Sequence, residues 1–152
     1  MPKTNNKMKK QIKCNKCKCV LNTNCYITIS GKSRCKNCSL DEIHYEMKEF
    51  TKSRIELIEC IKTEPCFEKS GKPVILSLKK SIKCIEYILI NKDDKLDETL
   101  KFINMISVRA EEHLFDEKHM ERLYMGIVDG LLNQINIIKK FNKDYKFIQS
   151  CE

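Results

Sequence analysis

Six of the chain's ten cysteines fall between residues 14 and 38, four of them as two Cys-x-x-Cys pairs, Cys14 with Cys17 and Cys35 with Cys38. Cysteines at this density either form disulfides in an exported chain or hold a metal in a reducing compartment. The N-terminus carries charge with no hydrophobic run behind it, so no secretory signal is readable. An intracellular, reducing location is therefore expected, nucleus or cytoplasm, and metal binding with it. Zinc prefers four soft ligands in a tetrahedron, and a Cys-x-x-Cys pair supplies two sulfurs from one tight backbone knuckle. The 17 residues between the pairs are enough for a hairpin that brings the second pair back to the first. Nearby lysines favour the thiolate form that a metal needs. The expected ligands are Cys14, Cys17, Cys35 and Cys38, with zinc as the cofactor. Four thiolates leave no open position for water, so the expected role is structural. Cys19 and Cys25 make six candidates for four places, with Cys25 expected on the hairpin as a small hydrophobe. A competing arrangement adds Cys25 and His44 to the pairs and holds two ions.

Charge is as uneven as the cysteines. Residues 1–40 carry nine lysines, one arginine and no acid, while the remainder carries 19 basic and 21 acidic residues. A cationic, cysteine-rich head thus precedes a near-neutral body. Such a head, without acidic neighbours in sequence, suits phosphate groups. Lys13, Lys16, Lys18, Lys32, Arg34, Lys36 and Asn37 are the expected nucleic-acid contacts, on DNA or RNA. Lysine dominance favours the backbone over base edges. Tyr26 either stacks on an exposed base or packs on the metal lobe. A basic cluster of this kind also fits an import or solubility arm.

Periodicity places the remaining elements. Residues 1–12 read as a basic flexible arm, and residues 13–62 as the zinc module with its emerging helix. Alternation at Cys25, Ile27 and Ile29 predicts a short strand, with Ser30-Gly31-Lys32-Ser33 as the turn. Ser39-Leu40-Asp41-Glu42 has the form of a capping box, which starts a helix one residue after the last paired cysteine. Its apolar stripe is Leu40, Ile43, Met47, Phe50, Leu57, Ile58 and Ile61. A helical bundle is expected over residues 72–141. Pro73 suits the first turn of its first helix, with Ile75, Leu78, Ile82, Ile85 and Leu89 inward. A second helix over about 96–110 turns Leu96, Leu100, Ile103 and Ile106 inward. A third, from about 117 to 140 and capped by Asp116, carries Met120, Leu123, Tyr124, Ile127, Leu131, Ile135 and Ile138. Gly126 and Gly130 on this helix predict the close approach of a neighbour, and residues 142–152 form a tail.

The paired cysteines, the hairpin between them and a helix opening at the second pair resemble a treble-clef zinc finger. The insert of 17 residues is that of the GATA type. The likeness covers residues 14 to about 50. It lacks that family's tryptophan, and Lys36, Asn37 and Ser39 stand where the family has Asn, Ala and Gly. The resemblance implies a module that sets its helix and a basic segment into a DNA groove. The expected fold is mainly α: a small N-terminal treble-clef-like zinc finger, a β-hairpin plus helix, followed by a helical bundle.

Other function classes have little in the sequence to carry them. No apolar run approaches the ~18–20 residues of a membrane helix, so no membrane association is expected. No nucleophile–base pair, phosphate-cradling loop or paired carboxylate is readable, and no enzymatic activity is expected. His113, Glu117 and His119 form the one further metal-like spacing, while Cys60 and Cys84 are expected in or near the core. The expectation is a zinc-stabilised nucleic-acid-binding protein, in transcription or a related process, whose bundle docks a protein partner or a second copy. The alternative is a zinc-finger adaptor between proteins that binds no nucleic acid.

Overall fold

The computed structural model describes the backbone of residues 12–21, 27–29, 31–63, 71–116 and 122–151. It describes the side chains of these residues except 27–29, 111–116 and 122–129. Two strands, β1 (Ile27–Ile29) and β2 (Lys32–Arg34), precede four helices: α1 (Lys36–Thr63), α2 (Gly71–Leu89), α3 (Asp93–Asp116) and α4 (Arg122–Ser150). The fold is thus a small cysteine-bearing head with a hairpin, followed by a helical bundle. No helix among the described residues is long and apolar enough to cross a membrane. The chain divides into two compact units, one from residues 1–45 with 144–152 and one from residues 46–143.

In the first unit β1 and β2 pair antiparallel, Ile27 opposite Arg34 and Ile29 opposite Lys32. Gly31 has a φ of 76°, a backbone conformation that a residue without Cβ adopts freely. Lys32 and Ser33, expected in the turn, belong to β2. The unit's interior holds Cys14, Leu21, Ser39, Ile43, Tyr145, Ile148 and Cys151. Residues 142–152, read as a tail, continue α4 to Ser150. Their pattern explains why: Tyr145 and Ile148 lie three apart on one helical face, and both are buried. The Lys36 ammonium donates to the Gln149 carbonyl at 3.4 Å, and the His44 and Tyr145 rings pack 5.8 Å apart.

The second unit takes its core from all four helices: Ile58 and Ile61 of α1, Val74 and Leu78 of α2, Ala110 of α3 and Leu131 of α4. The stripe of α3 lies inward as its period requires, with Leu96, Leu100, Ile103 and Ile106 all buried. On α2, Leu78 and Ile85 are buried as expected and Ile75 and Ile82 pack half-buried against the core, but Leu89 is 40% exposed, and the buried face also takes in Val74, Ser77, Ser81, Cys84 and Ile88. The face runs through serines because they find partners inside the unit. The Ser77 and Ser107 hydroxyls are 3.1 Å apart, the Gln134 Nε2 donates to Ser77 Oγ at 3.0 Å, and Ser81 Oγ donates to the Ser77 carbonyl at 2.9 Å. The Gln134 Oε1 stays buried without a partner.

α2 ends where Asn91 takes a φ of 56°. The Lys92 amide then reaches the Tyr87 carbonyl and the Asn91 amide the Ile88 carbonyl. This Schellman closure satisfies carbonyls that the helix end would leave unpaired. On α4, a Cβ added at Gly130 meets nothing within 4 Å, so no neighbour approaches closely there, contrary to expectation. Cys60 is exposed rather than near the core, while Cys84 is buried. Cys25, Tyr26, Cys66, Met120, Leu123, Tyr124, Gly126 and Ile127 lie outside the described residues or side chains, as do His113, Glu117 and His119.

Candidate metal centre

Each cysteine pair sits on a turn built to hold sulfur. In the first, residues 12–21 fold back on themselves, with Lys13 bridged to Val20 and the Leu21 amide on the Ile12 carbonyl at 2.7 Å. The Lys18 amide bonds the Cys14 carbonyl, the Cys14 amide bonds the Cys19 carbonyl, and the Cys17 amide points at Cys14 Sγ at 3.5 Å. Closing this knuckle puts Lys18 in the left-handed region, at a φ of 66°, where a side chain costs roughly 1–2 kcal/mol. The Asn15 amide on the Ser33 carbonyl, 2.8 Å, ties the knuckle to β2.

The second pair is part of a helix start. The Cys35 carbonyl accepts from the Ser39 amide at 2.8 Å, and Cys35 Sγ accepts from the Cys38 amide at 3.4 Å. Cys35 is therefore the N-cap of α1, with sulfur in the place usually taken by a Ser or Asp oxygen. The expected capping box at Ser39 does not form. α1 begins at Lys36, Ser39 lies inside it with its hydroxyl buried and unpartnered, and Glu42 faces Arg34 instead. A thiolate at this end also gains from the positive pole of the helix.

These two turns bring the sulfurs of Cys14, Cys17, Cys35 and Cys38 within 4.8 Å of one another. Cys17 Sγ and Cys35 Sγ are 3.7 Å apart. A tetrahedral site with metal–sulfur bonds of about 2.3 Å has sulfur–sulfur edges of about 3.8 Å. The donor set fits a soft divalent metal such as zinc, held by four thiolates. The four sequence-predicted ligands are those the fold brings together. His44 is not part of the cluster and packs its ring on Tyr145, and among the described residues no second metal-ligand cluster forms.

Without a metal the sulfurs differ in how readily they ionise, and the metal itself would take the proton from the rest. Burial pushes the Cys14 thiol up, but the amides of Cys17, Cys35 and Lys16 outweigh it and hold the pKa at about 5. Cys17 is lowered as well, by bonds from the Cys19 backbone and thiol. Cys38 is pushed up to about 12, first by its bond with Cys35 and then by burial. Cys19 is pushed up to about 12 by its bond with Cys17.

Around the sulfurs, Lys13, Lys16, Lys18, Lys32 and Asn37 are exposed. Lys18 Nζ also reaches the Asn15 carbonyl at 2.9 Å. Arg34 and Lys36 also have partners within the first unit. Arg34 Nε lies 3.3 Å from Glu42 Oε2, an ion pair without hydrogen-bond alignment, and its side chain is 12% exposed. Lys36 is half-buried on Gln149. The Arg34–Glu42 pair had no signal in the sequence, because Arg34 stands between Lys32 and Lys36 and only the fold selects it for Glu42. No protein-family model, curated protein or solved structure matches this chain.

Proposed function

We propose that this chain is a zinc-stabilised nucleic-acid-binding protein serving transcription or a related nucleic-acid process, in the nucleus or cytoplasm. Zinc orders the head, the head meets DNA or RNA, and the helical unit docks a protein partner or a second copy. The GATA-like spacing supports a finger of the treble-clef kind. The observation that carries the reading is the set of exposed cations on the four-cysteine head, Lys13, Lys16, Lys18 and Lys32, in a stretch of 40 residues without an acid. Arg34 and Lys36, which also have partners within the head, and Asn37, exposed in the first turn of α1, complete the set of contacts. Lysines are mobile point charges suited to phosphate oxygens.

The test is a fluorescence-anisotropy titration of zinc-loaded protein against duplex DNA and single-stranded RNA over a range of salt. Affinity should fall by orders of magnitude as salt rises, with a log–log slope of about 0.9 per phosphate engaged on duplex. Alanine at Lys13, Lys16, Lys18 and Lys32 together should flatten that slope. Absence of binding at low salt sinks the reading. One observation favours a protein adaptor in that event: Val20, Tyr45 and Phe147 of the first unit are 59%, 63% and 50% exposed.

A further inference from the structure

A groove of about 570 Å³ runs between α2 and α3 of the helical unit, lined by Lys80 and Tyr87 from one helix and Lys95, Lys101 and Phe102 from the other, with Glu98 as its acid. Its cations stand over its rings. Lys80 Nζ is 5.4 Å from the Phe102 centroid and Lys95 Nζ is 6.0 Å from that of Tyr87. Both rings are half-buried, so the core fixes their position while a face stays open to a cation. Lys83 also lies over Tyr87, at 5.8 Å, but Glu86 holds it at 2.9 Å. Lys80, Lys95 and Lys101 take part in no ion pair among the described residues. The other groove of this unit, about 500 Å³ around Asp97, Leu100, Asn104 and Ile135, offers no ring.

We propose that the α2–α3 groove binds single-stranded nucleic acid, with Tyr87 and Phe102 as stacking platforms for bases and Lys80, Lys95 and Lys101 as phosphate contacts. Accessible rings interleaved with unpaired cations are what a strand of alternating planar bases and anionic phosphates requires. The lysines already over the rings move aside with the phosphates as bases take their place, because their long side chains adapt without a fixed geometry. A duplex, whose bases are stacked on one another, has no use for the rings. The inference deepens the nucleic-acid reading of the chain and rests on it, but it uses residues of the helical unit alone.

The test uses the full zinc-loaded chain with a single strand of about 12 nucleotides and its duplex. Tyr87→Ala and Phe102→Ala should each weaken single-strand binding roughly five- to a hundredfold and leave duplex binding unchanged. Lys95→Glu with Lys101→Glu, both exposed, should do the same without disturbing the core, which guards against a ring variant that fails to fold. Photocrosslinks from a thiolated base should map to α2 and α3. Unchanged single-strand affinity in folded variants overturns the groove, and so does an acidic aromatic peptide that occupies it when the strand does not. If alanine at the four head lysines abolishes duplex binding while the groove variants change nothing, the head reading stands and the groove falls. If the head variant keeps duplex and single-strand binding alike while the groove variants lose the single strand, the groove stands and the head reading falls.

Discussion

Cys14 and Cys84 are both fully buried, yet one thiol is held at about 5 and the other is pushed up to about 12. Burial opposes ionisation in both. At Cys14 backbone amides converge on the sulfur and outweigh it; at Cys84 burial dominates, with Lys80 lowering the value only slightly. The pair separates the ways the two units are held. In the head, backbone donors are organised around four sulfurs that could hold a metal ion. In the helical unit a cysteine is one more small apolar group, and stability comes from Ile58, Val74, Leu78 and Leu131 leaving water.

Metal removal should break this contrast open. A structural zinc of this type is worth about 10–16 kcal/mol of apparent binding energy. A strong chelator, or Cys35→Ser, should take hydrogen exchange in residues 12–45 to unfolded rates. Amides around Leu78, Ile103 and Leu131 should stay protected. If the head kept its protection without metal, its stability would have another source and the contrast would vanish.

Alkali should act in the opposite place. The folded Cys84 pKa is raised above the ordinary thiol value of 9.0 to about 12. The folded protein therefore keeps a proton that the unfolded chain gives up. The stability linked to this group is fully present below pH 9 and is lost as pH rises towards 12, by up to about 1.4 kcal/mol per pH unit. Melting curves of the parent and of Cys84→Val should draw together as pH rises through that window. A difference that does not vary with pH would mean that the thiol ionises equally in both states.

The smallest effect sharpens the account of the helical unit. Gly130→Ala should stabilise it by up to about 1 kcal/mol, since alanine is the better helix former and its Cβ meets open space. A fall in melting temperature would reveal the close helix approach that the sequence suggested.

What could be read from sequence alone follows from how local each determinant is. The metal quartet was legible because a Cys-x-x-Cys turn is closed by amides within three residues, at Cys17 and at Cys38. The faces of α1 and α3 were legible because Ile43, Met47, Ile103 and Ile106 repeat at helical spacing. The serines within the α2 face were not, because burial of Ser77 depends on Ser107 and Gln134, 30 and 57 residues away. The start of α1 was misplaced by three residues because sulfur took the capping role normally given to oxygen. The end of α4 was undecided because Tyr145, Ile148 and Cys151 pack in the first unit, which no sequence window around them contains.

The Ser77–Ser107–Gln134 cluster has a further consequence, for the uniqueness of the packing. Apolar ridges of similar size interlock nearly as well after one helix slides past another by a turn, about 5.4 Å. Hydroxyl and amide groups do not tolerate such a slip. Displacing α2 by one turn so that Pro73 stands at the level of Ser107 would take the Ser77 hydroxyl from Ser107 and Gln134, leaving buried polar groups unpaired at about 1–3 kcal/mol each. A polar layer inside an apolar core thus works as an index mark. It costs some cohesion, visible in the unpartnered Oε1 of Gln134. In return the alignment of α2, α3 and α4 in which Ser77, Ser107 and Gln134 meet is favoured over one that brings Pro73 to their level.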